Sequence, residues 1–483
     1  MGPVTPANEY EVVIGLEIHV ELSTKTKMFC GCSPSFGDEP NTHTCPVCLG
    51  HPGALPTINE QSVRYALVIA AALECEVPPS SIFHRKQYFY PDQAKNYQIS
   101  QYDEPIAVNG RLGDVRIHRA HLEEDTAKMI HVGESGRIHG SSASLVDFNR
   151  AGTPLVEIVT EPDLRSAQEA REWAQLLRTT IRQLGVSDVN MEEGSLRVDA
   201  NVSIRPVGSR ELGTKTELKN MNSFRFLERG IEAEVERQRG LLESGEKVVQ
   251  DTLHFHPEDG SLTPLRSKEY AHDYRYFPEP DLVPVAPTEE MLKEARDSLP
   301  ELPAHRRERY LEKVGLSEEA ATTLAFQSEY GEYFERAVAS ADGASATSIA
   351  NWVTGELVAV LRQTGADEDP LASKATPEAV ASLAGLVETK TISHGSGKQV
   401  LAKLVTDGGD PVEIVEREGL AQISDSSELE AIVDRAIEAE PEAAEQVRQG
   451  NEKAIGRLVG AVMKESKGRA DGGAVTKLIR ERL

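Results

Sequence analysis

No stretch of this chain approaches the roughly 20 consecutive apolar residues that a membrane-spanning helix needs, so no span is expected. The opening ten residues hold neither a basic region nor an apolar core, which argues against a secretory signal and for a cytoplasmic protein. Cysteine is scarce, five in 483 residues, and without an export signal disulfides are not expected. A phosphate loop is missing too. Ser393-His394-Gly395-Ser396-Gly397-Lys398-Gln399 has Ile392 where the first glycine belongs, no Ser or Thr after the lysine, and no strand before it. Gly140-Ser141-Ser142-Ala143-Ser144 lacks the glycine framing and the upstream lysine of a serine amidase and reads as a polar turn. Nothing in the chain is therefore expected to release ammonia from glutamine.

Positive charge is also short. Lys and Arg number 52 against 78 Asp and Glu, a net −26, and an even spread of that charge would exclude a nucleic-acid footprint. The spread is uneven. Residues 407–445 carry two basic and thirteen acidic side chains, whereas residues 446–483 carry nine basic and four acidic, a net +5. The tail is a basic module on an acidic body.

What is present begins with Gly15-Leu16-Glu17-Ile18-His19-Val20-Glu21-Leu22. Side chains alternate across a strand, so Glu17, His19 and Glu21 share one face and the aliphatic residues the other. Three further segments resemble it: His121 to Asp125, Pro154 to Glu161, and Met191 to Val202, where Arg197, Asp199 and Asn201 alternate on one face. Each alone is most simply the wet face of an antiparallel sheet. Glu157 fits that reading poorly, because Leu155, Val156, Ile158 and Val159 surround it, and a carboxylate among apolar neighbours needs a cation or a donor. Carboxylates gathered on one sheet face suit Mg²⁺ and nucleotide phosphates. The chain reads as a phosphoryl-transfer enzyme.

Short alternating runs (Val12–Leu22, Val115–Arg119, Leu155–Thr160, Leu196–Ile204) and helical stretches (Gln61–Leu73, Ser166–Leu184, Asn222–Ser244) predict an α+β domain over 1–290. Prolines 278, 280, 284, 287, 300 and 303 close it. A helical domain over 291–406 and a small helical tail over 407–483 follow, divided at Asp407-Gly408-Gly409-Asp410-Pro411. In the tail, Ile455, Leu458, Val459, Val462 and Met463 recur at helical spacing, with Lys453, Arg457 and Lys464 on the other side and Lys467 and Arg469 in the next loop. Cys30, Cys32, Cys45 and Cys48 offer two thiolate pairs at a spacing suited to one closed, structural Zn²⁺ site. Cys75 reads as a small buried hydrophobe.

These residues sit in long strings: VIGLEIHVEL, KQYFYPDQAKNYQISQ (86–101), HLEEDTAK, LVDFNRAGTPLVEIVTEPD (145–163), MEEGSLRVDANVS, GTKTELKNMNS (213–223), DYRYFPEPDLVP (273–284) and GNEKAIGRLVGAVMKESKGRAD. Together they make the chain resemble, over nearly its whole length, the GatB family, the B subunits of bacterial aspartyl/glutamyl-tRNA amidotransferases. It departs from that family at Asp471-Gly472-Gly473, where asparagine then proline is expected.

The resemblance implies a cradle-shaped antiparallel sheet similar to those of glutamine synthetase and the guanidino kinases, followed by helical domains. It implies a ligase that phosphorylates the side-chain carboxylate of Glu-tRNA(Gln) and/or Asp-tRNA(Asn) with ATP and replaces the phosphate by ammonia. An amidase, the A subunit, would supply the ammonia, and a small C subunit would complete the heterotrimer. Carried over, Glu17, His19, Glu124 and Glu157 match the family's Mg²⁺/phosphate site, with Glu123 as a neighbour that periodicity does not separate from Glu124. Histidine is an uncommon ligand for a hard cation, so the expected action of His19 is through water or on phosphate rather than directly on the metal. Arg197, Asp199 and Asn201 face the nucleotide or metal, and Lys215 and Lys219 are candidate phosphate contacts. The basic tail (Lys453, Arg457, Lys464, Lys467, Arg469) is the expected tRNA contact. Two other classes compete: an ATP-dependent ligase of a free amino acid, against which the basic tail argues, and an RNA-binding adaptor without catalysis, which Mg²⁺-dependent ATP turnover would exclude.

Overall fold

The run of alternating residues around Glu17 becomes the spine of the first half of the protein. The computed structural model describes residues 10–35, 37–132, 141–264, 274–364, 369–421, 426–449, 451–466, 469–470 and 472–483. Two compact units divide the chain, residues 1–303 and 304–483.

In the first unit the strands are β1 (Tyr10–Glu21), β2 (His84–Gln87), β3 (Tyr97–Ser100), β4 (Ala107–Leu112) and β5 (Val115–Glu124). They continue with β6 (Lys128–Val132), β7 (Ala143–Asp147), β8 (Pro154–Thr160) and β9 (Leu196–Pro206). Last come β10 (Thr216–Met221), β11 (Thr252–Phe255), β12 (Leu262–Pro264) and β13 (Phe277–Pro278). Eight of them form one sheet in the order β12-β11-β10-β9-β1-β8-β5-β4. Every pairing in it is antiparallel except β10 with β11. The sequence expectation of a mixed α+β unit around a broad, mostly antiparallel sheet therefore holds.

Alternation decides what each face does. Leu16, Ile18 and Val20 on β1 are fully buried, each contributing roughly 1.5–3 kcal/mol relative to exposure. The helices α1 (Glu60–Ala72) and α3 (Phe224–Glu243) pack against the sheet at β5 and β9, and α2 (Ala167–Leu184) packs against both helices. Local chemistry starts these helices: the side chains of Asn59, Ser166 and Ser223 accept from the first free backbone N–H groups of α1, α2 and α3. Gly185 in the left-handed region ends α2. A fourth helix, α4 (Glu289–Asp297), packs on α1, where Arg64 pairs with Glu294.

A second sheet, β13-β2-β3, stands at the rim of the polar face. Arg85 on β2 clamps Glu279 just beyond β13 with two bonds of 2.6 and 2.8 Å, and its guanidinium lies 4.3 Å from the Tyr97 ring centre.

The second unit contains helices and no named strand among its described residues. It holds two separate apolar clusters, one drawn from Tyr310 to Leu420 and one from Leu429 to Ile479. Ser393 of the failed phosphate-loop motif is simply the cap of helix His394–Asp407, accepting from the Ser396 N–H at 3.1 Å.

Candidate phosphoryl-transfer site

Register brings the polar residues of four strands into rows. His121 on β5 lies opposite Glu157 on β8, Glu157 opposite His19 on β1, and His19 opposite Arg197 on β9. In the next row Glu17 lies opposite Asp199. These rows floor a cavity of about 850 Å³ whose walls include Lys86, Tyr88, Tyr274 and Tyr276 from the rim and Lys215, Glu217 and Lys219 around β10.

Within it His19 Nε2 lies 3.4 Å from Glu157, 3.8 Å from Glu123 and 4.0 Å from Glu17. His121 Nε2 lies 3.5 Å from Glu157 and 3.8 Å from Glu123, and Arg119 stands 3.8 Å from Glu157. Lys219 donates to Asp199 at 3.1 Å and lies 3.7 Å from Glu217. The donor that the sequence demanded for Glu157 is thus a ring of histidines and an arginine.

The charges hold one another in place. Burial alone would neutralise Glu157, but His121, His19 and Lys86 overcome it and hold the carboxyl well below its ordinary range. Glu123 is likewise lowered, burial being outweighed by Lys86 and a hydrogen bond with His121. Burial depresses His19, yet the hydrogen bond and charge of Glu157 and the charge of Glu123 win and carry it up to about 9. Glu17 moves the other way: the charge of Glu157, then burial, raises it. Lys86 and Lys219 are raised above the usual lysine range despite burial, by Glu123 and by Asp199 respectively.

Three overlapping groups present ligand atoms within 4.8 Å of one another: Glu17–His19–Glu157, His121–Glu123–Glu157 and Glu17–Asp199–Glu217. Only the last is all oxygen, the donor set that a hard divalent cation prefers. The first two carry imidazole, which suits a softer ion better.

Glu17, His19 and Glu157 are brought together as expected. Glu124 is not. It points away from the cavity, where the buried Lys95 ammonium and the Ile99 N–H (2.9 Å) donate to it. Its neighbour Glu123 takes the place in the cluster, held by the Ser100 hydroxyl at 3.0 Å, because strand alternation lets only one of the two face the cavity. Arg197 lines the cavity and pairs with Asp125 at 3.0 Å, Asp199 and Lys219 form a pair, and Lys215 stands on the wall. Asn201 lines a separate, smaller cavity. Sequence reasoning missed Lys86, His121 and Glu217. Period-two spacing with Glu123 and with Lys219 was the available signal for the last two.

The four cysteines converge elsewhere in the same unit. Cys30, Cys32, Cys45 and Cys48 have all sulfurs within 4.8 Å of one another, and Cys45 and Cys48 are 3.9 Å apart. A tetrahedral Zn²⁺ at about 2.3 Å from each thiolate requires edges of about 3.8 Å, so the donor set fits that ion. The Cys45 N–H donates to Cys48 Sγ at 3.2 Å. The fully buried Lys27 ammonium donates to the carbonyls of His43 (2.8 Å) and Phe148 (3.1 Å) and lies 3.9 Å from Cys48 Sγ. It places a positive charge beside a set of thiolates that would exceed the charge of one zinc.

A family model described as the GatB/GatE catalytic domain matches residues 12–293, and one described as the GatB domain matches residues 332–483. The chain belongs to the GatB/GatE family. It is 48% identical over 483 residues to the B subunit of the aspartyl/glutamyl-tRNA(Asn/Gln) amidotransferase from Carboxydothermus hydrogenoformans, covering 98% of this chain and 99% of that one. The same-named proteins of Persephonella marina (47%, 98% and 100% covered) and Brevibacillus brevis (48%, 99% and 99%) are similar at like length. The resemblance read from the motifs therefore stands for the whole chain.

The stretch matching the GatB catalytic domain contains both the cavity and the cysteine cluster. The stretch matching the GatB domain includes helix Ile455–Glu465, whose Leu458 and Val462 are buried in the tail cluster. Lys453, Arg457 and Lys464 are exposed there and, among the described residues, make no ion pair, in contrast to Arg435 with Glu465 and Arg482 with Asp434. Arg469 is half-buried and donates to the Ser466 carbonyl at 3.3 Å; Lys467 and Asp471 lie outside the described residues. No helix among the described residues is long and apolar enough to cross a membrane.

Proposed function

We propose that the larger cavity activates the side-chain carboxylate of a glutamyl or aspartyl group esterified to tRNA. A carboxylate resists ammonia because oxide is a poor leaving group. Attack of a carboxylate oxygen on the γ-phosphorus of ATP forms a C–O–P link and releases ADP. Ammonia nitrogen then bonds the acyl carbon, the C–O bond to phosphate breaks, and the nitrogen sheds a proton. The products are Gln-tRNA(Gln) or Asn-tRNA(Asn), ADP and phosphate, the chemistry of a carbon–nitrogen ligase.

The observation that carries this reading is the lattice of carboxylates and cations around Glu157, with an all-oxygen triad beside it. Mg²⁺ held by Glu17, Asp199 and Glu217 would neutralise charge on the transferring phosphoryl, with Glu157 and His19 beside it acting through water or on phosphate. Lys86, Arg119 and Arg197 supply fixed positive charge to the same oxygens. The antiparallel-rich sheet with its charged face accords with the cradle of glutamine synthetase and the guanidino kinases. Ammonia comes from an amidase, the A subunit, and a small C subunit makes up the heterotrimer; the relatives' naming as one subunit of an amidotransferase and the lack of a nucleophile constellation support this. Lys453, Arg457, Lys464, Lys467 and Arg469 hold tRNA phosphates, and Cys30, Cys32, Cys45 and Cys48 hold a structural Zn²⁺.

The test is isotopic. Glu-tRNA carrying ¹⁸O in its side-chain carboxylate, incubated with the assembled complex, MgATP and an ammonium salt, should deliver one labelled oxygen to inorganic phosphate. Unlabelled phosphate accompanied by amidation would overturn the acyl-phosphate step.

A further inference from the structure

The sulfur cluster and the larger cavity lie in one unit, and a single stretch of backbone between β7 and β8 touches both. Two asparagines bind the loop that carries the cysteines to that stretch. Asn41 accepts from the Phe148 N–H (2.8 Å) and donates through Nδ2 to the Val146 carbonyl (3.1 Å), while its own N–H donates to Asp147 (3.0 Å). Asn149, buried, accepts from the His43 N–H (2.8 Å) and donates to the Glu39 carbonyl (2.8 Å). The pieces so joined are 105 to 110 residues apart in sequence.

Lys27 adds a third tie. Its fully buried ammonium donates to a carbonyl on each piece, those of His43 and Phe148, beside Cys48 Sγ. Among the described residues no carboxylate pairs with it, and a buried ammonium needs a compensating charge. Four thiolates on one divalent ion leave negative charge in excess, which Lys27 answers.

The far end of the stretch holds the cavity. Arg150 follows Asn149 directly, donates to the carbonyls of Thr126 (3.0 Å) and Ala127 (3.2 Å), and lies 3.4 Å from the Asp125 carboxylate. Backbone bonds bracket Asp125: the Gly152 N–H donates to its carbonyl (2.9 Å), and its own N–H donates to the Thr153 carbonyl (2.8 Å). The Met28 N–H closes the circuit on the Gly152 carbonyl at 2.7 Å. Asp125 in turn pairs with Arg197, and both line the cavity. A side chain that acts on a transferring phosphoryl must be held to a fraction of an ångström.

We propose that the cysteine loop, closed by its metal, is a splint for the larger cavity. Through Asn41, Asn149 and Lys27 it holds residues 146–153, and through Arg150 and Asp125 it positions Arg197. Neither asparagine lines the cavity or belongs to a ligand group, so both are positioning residues. This rests on the zinc reading of the four sulfurs and on the phosphoryl-transfer reading of the cavity.

Hydrogen–deuterium exchange of the full chain, combined with ATP turnover by the assembled complex, tests this. Asn149→Ala should keep one Zn²⁺ per chain, yet amides in 146–153 should exchange about 10-fold faster or more, with α2 unchanged. Its kcat should fall about 10- to 100-fold, with the KM for aminoacylated tRNA unmoved. Asn41 is exposed and sits at φ 62°, a conformation glycine adopts freely. Asn41→Gly should act in the same direction and decides the matter if the buried variant folds poorly. Stripping zinc from the unaltered chain with a chelator should give the same exchange pattern, reversed by added Zn²⁺. Faster exchange confined to residues 30–48 overturns the proposal, as does an unchanged kcat in a zinc-bound variant whose 146–153 segment exchanges faster. A chain without zinc before any substitution overturns the zinc reading and the proposal together. A complex without ATP turnover before any substitution overturns the phosphoryl-transfer reading instead.

Discussion

At Glu124 the carboxylate meets a buried lysine, whereas one residue earlier the carboxylate of Glu123 meets two histidines across the cavity. Isosteric changes at the two sites should separate stability from chemistry. Glu124→Gln leaves the Lys95 ammonium buried without its counter-charge and should destabilise the fold by about 3–5 kcal/mol, read as a lower denaturation midpoint. Glu123→Gln or Glu157→Gln should lower tRNA-dependent ATP turnover about 100- to 1,000-fold with tRNA binding retained. Near-normal turnover in both of the latter would remove them from the site. A surface pair gives a pH prediction. Glu335 is exposed, and the small cost of its partial burial is outweighed by bonds from Arg309 (2.6 Å) and Tyr310 (2.7 Å), which hold its carboxyl below the ordinary range. A depressed folded-state value means the stabilisation is full above the unfolded carboxyl's value of about 4.3 and is lost as pH falls through the folded one. Glu335→Gln should therefore lower the melting temperature by about 2 °C at pH 7, with the gap to the parent closing in acid. A gap that widens in acid would contradict the assignment.

Among elements, the loop between β1 and α1 brings four sulfurs together. One Zn²⁺ per chain is expected by elemental analysis, and Cys48→Ser should lose it and open the loop to limited proteolysis. A metal-free protein with four freely titrating thiols would refute the site. How far such elements can be read in advance differs by kind. Period-two alternation in β1, β8 and β9 exposes both the strands and the face that carries Glu17, Glu157 and Arg197, because a strand has only two faces. The tail helix is equally plain from its apolar stripe. Glu123 and Glu124 cannot be told apart in the same way, since the phase of β5 is set by its pairing with β8 and both residues are acidic. Lys86 is invisible for another reason. It sits on a four-residue strand of a different sheet, whose pairing with β3 and β13 carries it to the cavity. Asn201 reads as a nucleotide or metal contact from its place on β9, but its separate cavity depends on the close approach of the Gly213 loop, which no local pattern encodes.

For the whole molecule, an acidic body with a basic tail should make tRNA affinity strongly salt-dependent. Reversing Lys453 and Arg457 to glutamate should flatten the slope of log affinity against log salt by roughly one for each phosphate no longer neutralised, while ATP turnover without tRNA stays unchanged. An unaltered slope would assign the tail to another partner. The isolated chain should release no ammonia from glutamine, yet the complex should amidate with ammonium salts; glutaminase activity in the pure chain would contradict that division. The order of strands has one more consequence, at the ribosome. β1 ends at Glu21, but its two neighbours begin only at Pro154 and Leu196. At roughly 5–20 residues per second, the central strand emerges on the order of ten seconds or more before anything can pair with it. During that interval Leu16, Ile18 and Val20 form an adhesive ribbon on every nascent chain, so chaperone occupancy early in synthesis should govern how much of this enzyme a cell obtains.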